Sequence, residues 1–105
     1  MKLMTKELEE TLPALYETEN IKTNNKILQV KFIAVNNRWE WYLVEYNKDT
    51  QIAFGYVKGF ENEWGYFSLK EFEELNEDGL SIIRDKTFQP IEFMELNNNF
   101  HRLKV

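Results

Sequence analysis

The sequence points to an α+β domain: one antiparallel sheet of about five strands, an N-terminal helix and a short helix after the fourth strand, ordered α-β-β-β-β-α-β. Three observations carry this. Ten aromatic residues crowd between Trp39 and Phe67. Short runs there alternate with turn residues, as strands of a meander do. A helix start then follows at Ser68-Leu69-Lys70-Glu71, where Ser68 and Glu71 match a capping box. At 105 residues the chain has the size of one domain. Residues 1–96 are expected to form it, with 97–105 as a tail that is ordered only if Phe100 and Leu103 dock.

Thr5 is the expected N-cap of the first helix, and Leu8, Leu12, Leu15 and Tyr16 share one helical face. Pro13 should kink it or tighten its last turn. A polar loop covers 17–26. Ile27–Val35 reads as the first strand and Asn36-Asn37-Arg38 as a turn, with asparagine tolerating a left-handed backbone. In the second strand, Trp39–Tyr46, Trp39, Trp41 and Leu43 point one way, and Tyr42, Val44 and Tyr46 the other. Both faces are largely apolar, which marks a central strand. Gln51–Lys58 is the third strand, and its Gly55 signals a bulge or a close approach of backbones. Trp64–Phe67 is the fourth, with Gly65 expected opposite Gly55. Phe67 and Phe72 should staple the second helix, Leu69 to about Asn76, with Leu69, Phe72 and Leu75 inward. Leu80–Arg84 is the fifth strand, continuing toward Phe88. Ile91–Leu96 reads as a helical turn.

Several chemistries find no support in the residues. There is no cysteine, so disulfides and thiolate metal sites are excluded. His101 is the one histidine, so no triad or histidine metal site can be built around it in one chain. No catalytic residue, metal site or cofactor is therefore expected. No apolar stretch approaches the roughly 20 residues of a membrane span. MKLMTKELEE carries acids where a signal peptide needs an apolar run, so a cytoplasmic location without membrane contact is expected. The net charge of −5 disfavours sequence-independent nucleic-acid binding.

Charge is unevenly placed. Glu61, Glu63, Glu71, Glu73, Glu74, Glu77 and Asp78 stand against Lys70 alone over residues 61–78. That segment is the first candidate surface, able to meet a basic partner by complementarity. The second is aromatic: Trp39, Trp41, Tyr42, Tyr46, Tyr56 and Trp64. One helix layer is not expected to cover both faces of the second strand, and uncovered Trp and Tyr make natural interface anchors. Lys22, Lys26, Lys31, Arg38 and Lys58 could form a basic patch beside those rings.

The runs LMTKELEETLPALYETENI at Leu3–Ile21, KF at Lys31–Phe32, WEWY at Trp39–Tyr42, FGYVKGFENEWGYFSL at Phe54–Leu69 and GLSIIRDKTFQP at Gly79–Pro90 occur in a characteristic order. With them the chain resembles a bacterial family of small stand-alone proteins of unknown function, carried on plasmids, phages and other mobile elements. Ile83 stands where that family usually has an acid. The resemblance implies a setting and brings no site residues. In that setting the expected role is a non-enzymatic protein-interaction module with a host protein as partner. Its most concrete form is an acidic inhibitor of a nucleic-acid-handling or CRISPR-type defence complex. A single-stranded nucleic-acid-binding accessory protein using the aromatic sheet is one alternative. A small-molecule binder or enzyme without a sequence signature is another. The residues leave the oligomeric state open.

Overall fold

The computed structural model describes residues 3–96. The tail expected over 97–105, with its single histidine, lies outside the described residues. The architecture is α+β, as the alternating runs and the cap imply.

Helix α1 spans Lys6–Thr11, and Thr5 caps it by accepting the Leu8 amide at 3.2 Å. It is shorter than the apolar spacing suggested. Leu12, the residue before Pro13, is driven to an extended backbone with ψ 142°, because the proline ring clashes with a helical predecessor. Leu15 and Tyr16 therefore leave the helical face.

The first strand also divides. Strand β1 is Ile27–Leu28 and β2 is Val30–Ala34. Between them the Gln29 amide donates to the Leu43 carbonyl at 2.8 Å. Strand β3 is Glu40–Asn47, β4 is Ile52–Lys58 and β5 is Asn62–Ser68, two residues earlier than expected. Helix α2 is Leu69–Glu77, β6 is Ile82–Arg84 and β7 is Ile91–Glu92. The main sheet has the antiparallel order β5-β4-β3-β2-β6. The central place of β3 follows from its two apolar faces.

A second sheet was not expected. β1 pairs with β7, Ile27 opposite Glu92 and Leu28 opposite Ile91. Ile91–Glu92 is thus a strand rather than the start of a helical turn, and helical backbone begins only at Phe93. Strand β6 stops short of Phe88. There Asp85 Oδ1 accepts from the Thr87 amide at 3.0 Å and from its hydroxyl at 2.6 Å, which closes a turn. In the turn before β3 the left-handed residue is Arg38, with φ 64°, rather than an asparagine. Asn37 instead accepts the Trp39 amide at 3.1 Å through its side chain.

The second helix begins as the sequence indicates. Ser68 Oγ accepts the Glu71 amide at 3.1 Å, and the Phe67 and Phe72 rings stack with centroids 5.7 Å apart. Leu69 and Phe72 are buried, whereas Leu75 is exposed. Full burial is confined to the first turn. The Asn76 side chain then holds β6, accepting the Ile82 amide at 2.7 Å and donating to the Ile82 carbonyl at 2.9 Å.

The sheet is packed on both sides. Leu3, Met4, Val30, Phe32, Ala34, Trp41, Leu43, Tyr46, Leu69, Phe72 and Ile82 form the larger core. On the opposite face Leu28, Tyr42 and Val44 are covered by Phe88, Ile91, Phe93 and Leu96.

Candidate functional site

The six aromatic candidates do not make one patch. Trp41 and Tyr46 lie buried in the helix-side core with Trp39 packed against it. Tyr42 is buried on the opposite face, beside half-buried Tyr56 and Trp64. Tyr46 was expected beside Tyr42. A β-bulge between Leu43 and Glu45 inserts Val44 and reverses the alternation beyond it. Gly55 makes this possible, because a Cβ there would sit 1.8 Å from the Tyr42 carbonyl oxygen. Gly65 does pair with Gly55, and the rings of Phe54, Trp64 and Tyr66 gather beside them, with centroids 5.2–5.7 Å apart.

Tyr42 sits in a small polar frame. Its hydroxyl donates to Glu40 at 2.5 Å. The Lys31 and Lys58 ammonium groups lie 5.5 and 6.0 Å from its ring centroid. Lys31 also pairs with Glu40 at 3.9 Å. Burial first, then the bond to Glu40, holds the Tyr42 phenol protonated far above its ordinary range. Lys31 and Lys58, two of the five candidate basic residues, are thus engaged with the sheet, whereas Lys22 and Arg38 are exposed.

The acidic candidates spread over β5 and α2. Glu61, Glu63, Glu71, Glu74, Glu77 and Asp78 are exposed. Glu73 is half-buried and accepts the Leu3 amide at 3.3 Å, so it helps anchor the N-terminal segment.

The feature that sequence reasoning missed is Glu45. The bulge turns this carboxylate inward, where it is 4% exposed. It accepts the Tyr16 amide at 2.8 Å and the Thr18 amide at 3.0 Å, and the Thr18 hydroxyl closes on the same carboxylate. The Lys26 ammonium caps the arrangement, donating to the Thr18 carbonyl at 2.6 Å and to its hydroxyl at 3.1 Å. Tyr16 is thereby held at φ 71°, a left-handed conformation uncommon for a bulky residue. Tyr16 is 63% exposed and Tyr66 beside it 57% exposed. A cavity of about 270 Å³ opens between them, lined by Tyr16, Glu19, Lys26, Glu45, Phe54 and Tyr66. The neighbouring Tyr16 phenol first, then slight desolvation and the nearby Glu45 charge, push the Tyr66 phenol up. The one sequence signal for this arrangement is an acid within the otherwise apolar run WYLVEY.

Among the described residues no group of three or more histidine, aspartate or glutamate side chains could hold a metal ion. None of their helices is long and apolar enough to cross a membrane. The arrangement offers two exposed tyrosines over an open cavity whose lining includes Glu19 and Glu45.

No curated protein and no solved structure matches the chain. A family model described as a protein of unknown function (DUF2958) matches residues 3–98, nearly the whole sequence, and the chain belongs to that family.

Proposed function

We propose that the protein is a non-catalytic interaction module that binds a partner protein through Tyr16, Phe54 and Tyr66, with the acidic residues of β5 and α2 steering the approach. The observation carrying this reading is exposed Tyr16, held in a left-handed backbone by the buried Glu45 carboxylate, beside exposed Tyr66. Holding a non-glycine residue in the left-handed region costs on the order of 1–3 kcal/mol. Burying a carboxylate is a further cost unless its hydrogen bonds are complete. A chain shaped for stability alone would place glycine at position 16. Here the cost fixes an aromatic side chain in solvent, and a preorganised tyrosine loses little entropy on binding.

The resemblance to proteins of mobile elements makes a host protein the partner of choice. An acidic inhibitor of a nucleic-acid-handling or CRISPR-type defence complex is the specific form. The single-stranded nucleic-acid alternative draws less support, since Tyr42 is buried and Lys26 and Lys31 are committed to Thr18 and Glu40.

Affinity capture from bacterial lysate tests the reading. The full chain should retain a discrete protein, and a Tyr16→Ala, Tyr66→Ala variant should retain at least about tenfold less while unfolding at nearly the same temperature. Equal capture by both forms would overturn the aromatic contact.

A further inference from the structure

The main sheet ends on β5, which among the described residues pairs with β4 alone. Natural sheets usually guard such an edge with lysine, proline, a bulge or a very short strand. The other edge follows this rule: β6 has three residues, and its Arg84 is drawn to the Leu3 carbonyl at 3.2 Å. Strand β5 does not. It has seven residues, NEWGYFS, with neither lysine nor proline. Its register with β4 runs unbroken from Ile52 opposite Ser68 to Lys58 opposite Asn62.

Its free backbone groups have a definite direction. Hydrogen-bonded and non-bonded pairs alternate along an antiparallel ladder. Just beyond one end of the ladder, Leu69 donates to the Gln51 carbonyl at 2.9 Å; beyond the other, Gly59 donates to the Glu61 carbonyl at 3.2 Å. Both bonds join odd-numbered residues in the same register. The bonded residues of β5 are then Glu63, Gly65 and Phe67. The amides and carbonyls of Asn62, Trp64 and Tyr66 turn outward. Side chains alternate as well: Glu63 shares a face with Gly65 and Phe67, and Trp64 shares the other with Tyr66.

We infer that the β5 edge accepts an extended segment of a partner protein as a sixth antiparallel or parallel strand, and that this segment alternates basic and apolar residues. Charge complementarity selects the occupant. Glu63 in the strand and Glu61 just before it, both exposed, call for lysine or arginine on one face of the incoming strand. Trp64 and Tyr66 call for apolar side chains on the other. A second copy of this chain is disfavoured, because it brings no basic side chain to the glutamates: with two β5 strands paired antiparallel over their full length, Phe67 of one stands opposite Glu63 of the other. The inference rests on the interaction-module reading and supplies the partner's chemistry.

The test uses the full ¹⁵N-labelled chain and a capped ten-residue peptide alternating lysine with valine. Amide exchange at Trp64 and Tyr66 should slow by at least about tenfold on saturation, while Gly65 and Phe67, already bonded to β4, should change little. Methylating the peptide's backbone nitrogens should abolish the effect, and a glutamate–valine peptide should fail to produce it. A Glu61→Lys, Glu63→Lys variant should reverse that charge preference. Absent binding, equal protection at odd and even residues, or unimpaired binding of the methylated peptide would overturn strand addition. So would the same alternation appearing without peptide and rising with protein concentration, which would identify a second copy as the occupant. If lysate capture still depends on Tyr16 and Tyr66 in any of these cases, the interaction module stands and only its strand-adding mode falls.

Discussion

Glu45 and the glycines show how much single positions decide here. Glu45→Ala would leave the Tyr16 and Thr18 amides facing a void. Unsatisfied buried donors cost about 1–3 kcal/mol each, so urea unfolding should show a loss of roughly 2–6 kcal/mol. Glu45→Gln should fall between, since its amide group sets a donor against donors. Gly55→Ala drives a Cβ into the Tyr42 carbonyl at 1.8 Å, whereas at Gly65 nothing lies within 4 Å. Gly55→Ala should thus lower stability by more than about 3 kcal/mol, and Gly65→Ala by less than about 0.5 kcal/mol. Two glycines of one cross-strand pair would then separate in a thermal melt. The sequence marked Gly55 as a bulge or close approach. It could not reveal which side chains the bulge would redirect, because alternation beyond Val44 depends on the register with β4.

At the scale of elements, the capped helix is the most local feature and the bulged strand the least. Ser68→Ala removes the bond to the Glu71 amide and should cost about 1 kcal/mol by urea denaturation. The Phe67–Phe72 staple was legible because cap and staple depend only on residues a few positions apart. The end of α1 was legible in part: Pro13 marks it in the sequence, but its effect on Leu12 comes one residue earlier than a kink would. Strands β1 and β7 were not legible as a pair. Their contact joins Ile27 to Glu92, and no local pattern encodes such a distant partner. Cross-strand pairing also governs the candidate surface. Tyr16 reaches Tyr66 only through a loop fixed on β3, so neither residue carries a mark of the site in its own neighbourhood.

For the whole molecule, titration and surface charge give two further expectations. Burial, with the nearby Glu9 and Glu73 charges, pushes the Tyr46 phenol up to about 12. The folded state therefore holds this proton after an unfolded tyrosine, which titrates near 10, has lost it. The unfolded state binds fewer protons in that window, so stability should be intact below about pH 10 and fall as pH rises toward 12. Tyr42 adds to the same trend. Asp85 acts in the opposite direction: the Thr87 hydroxyl holds its carboxyl below the usual range. Its small contribution is present above about pH 4 and fades as pH falls through the folded value. Thermal melts from pH 3 to 11 check both limbs. Reversing Glu74 and Glu77 to lysine should leave stability within about 0.5 kcal/mol, since both are exposed. Partner capture should weaken, and more so at low salt. Glu73 is best left intact, because it holds the Leu3 amide.

The sequence by itself determined the α+β class, the order of the main elements, the central position of β3, the start of α2 and the pairing of the two glycines. Periodicity, turn residues and caps act over a few positions, and each was sufficient for its own element. Only the tertiary structure decided which aromatics became core and which stayed in solvent. It also decided that the second face would be closed by residues 88–96 and that Glu45 would hold Tyr16 open. Those outcomes depend on register, on one inserted residue at Val44 and on contacts between segments tens of positions apart. Burial is a property of the assembled sheet, so the surface on which this protein's activity is proposed to rest emerged only when the strands were aligned.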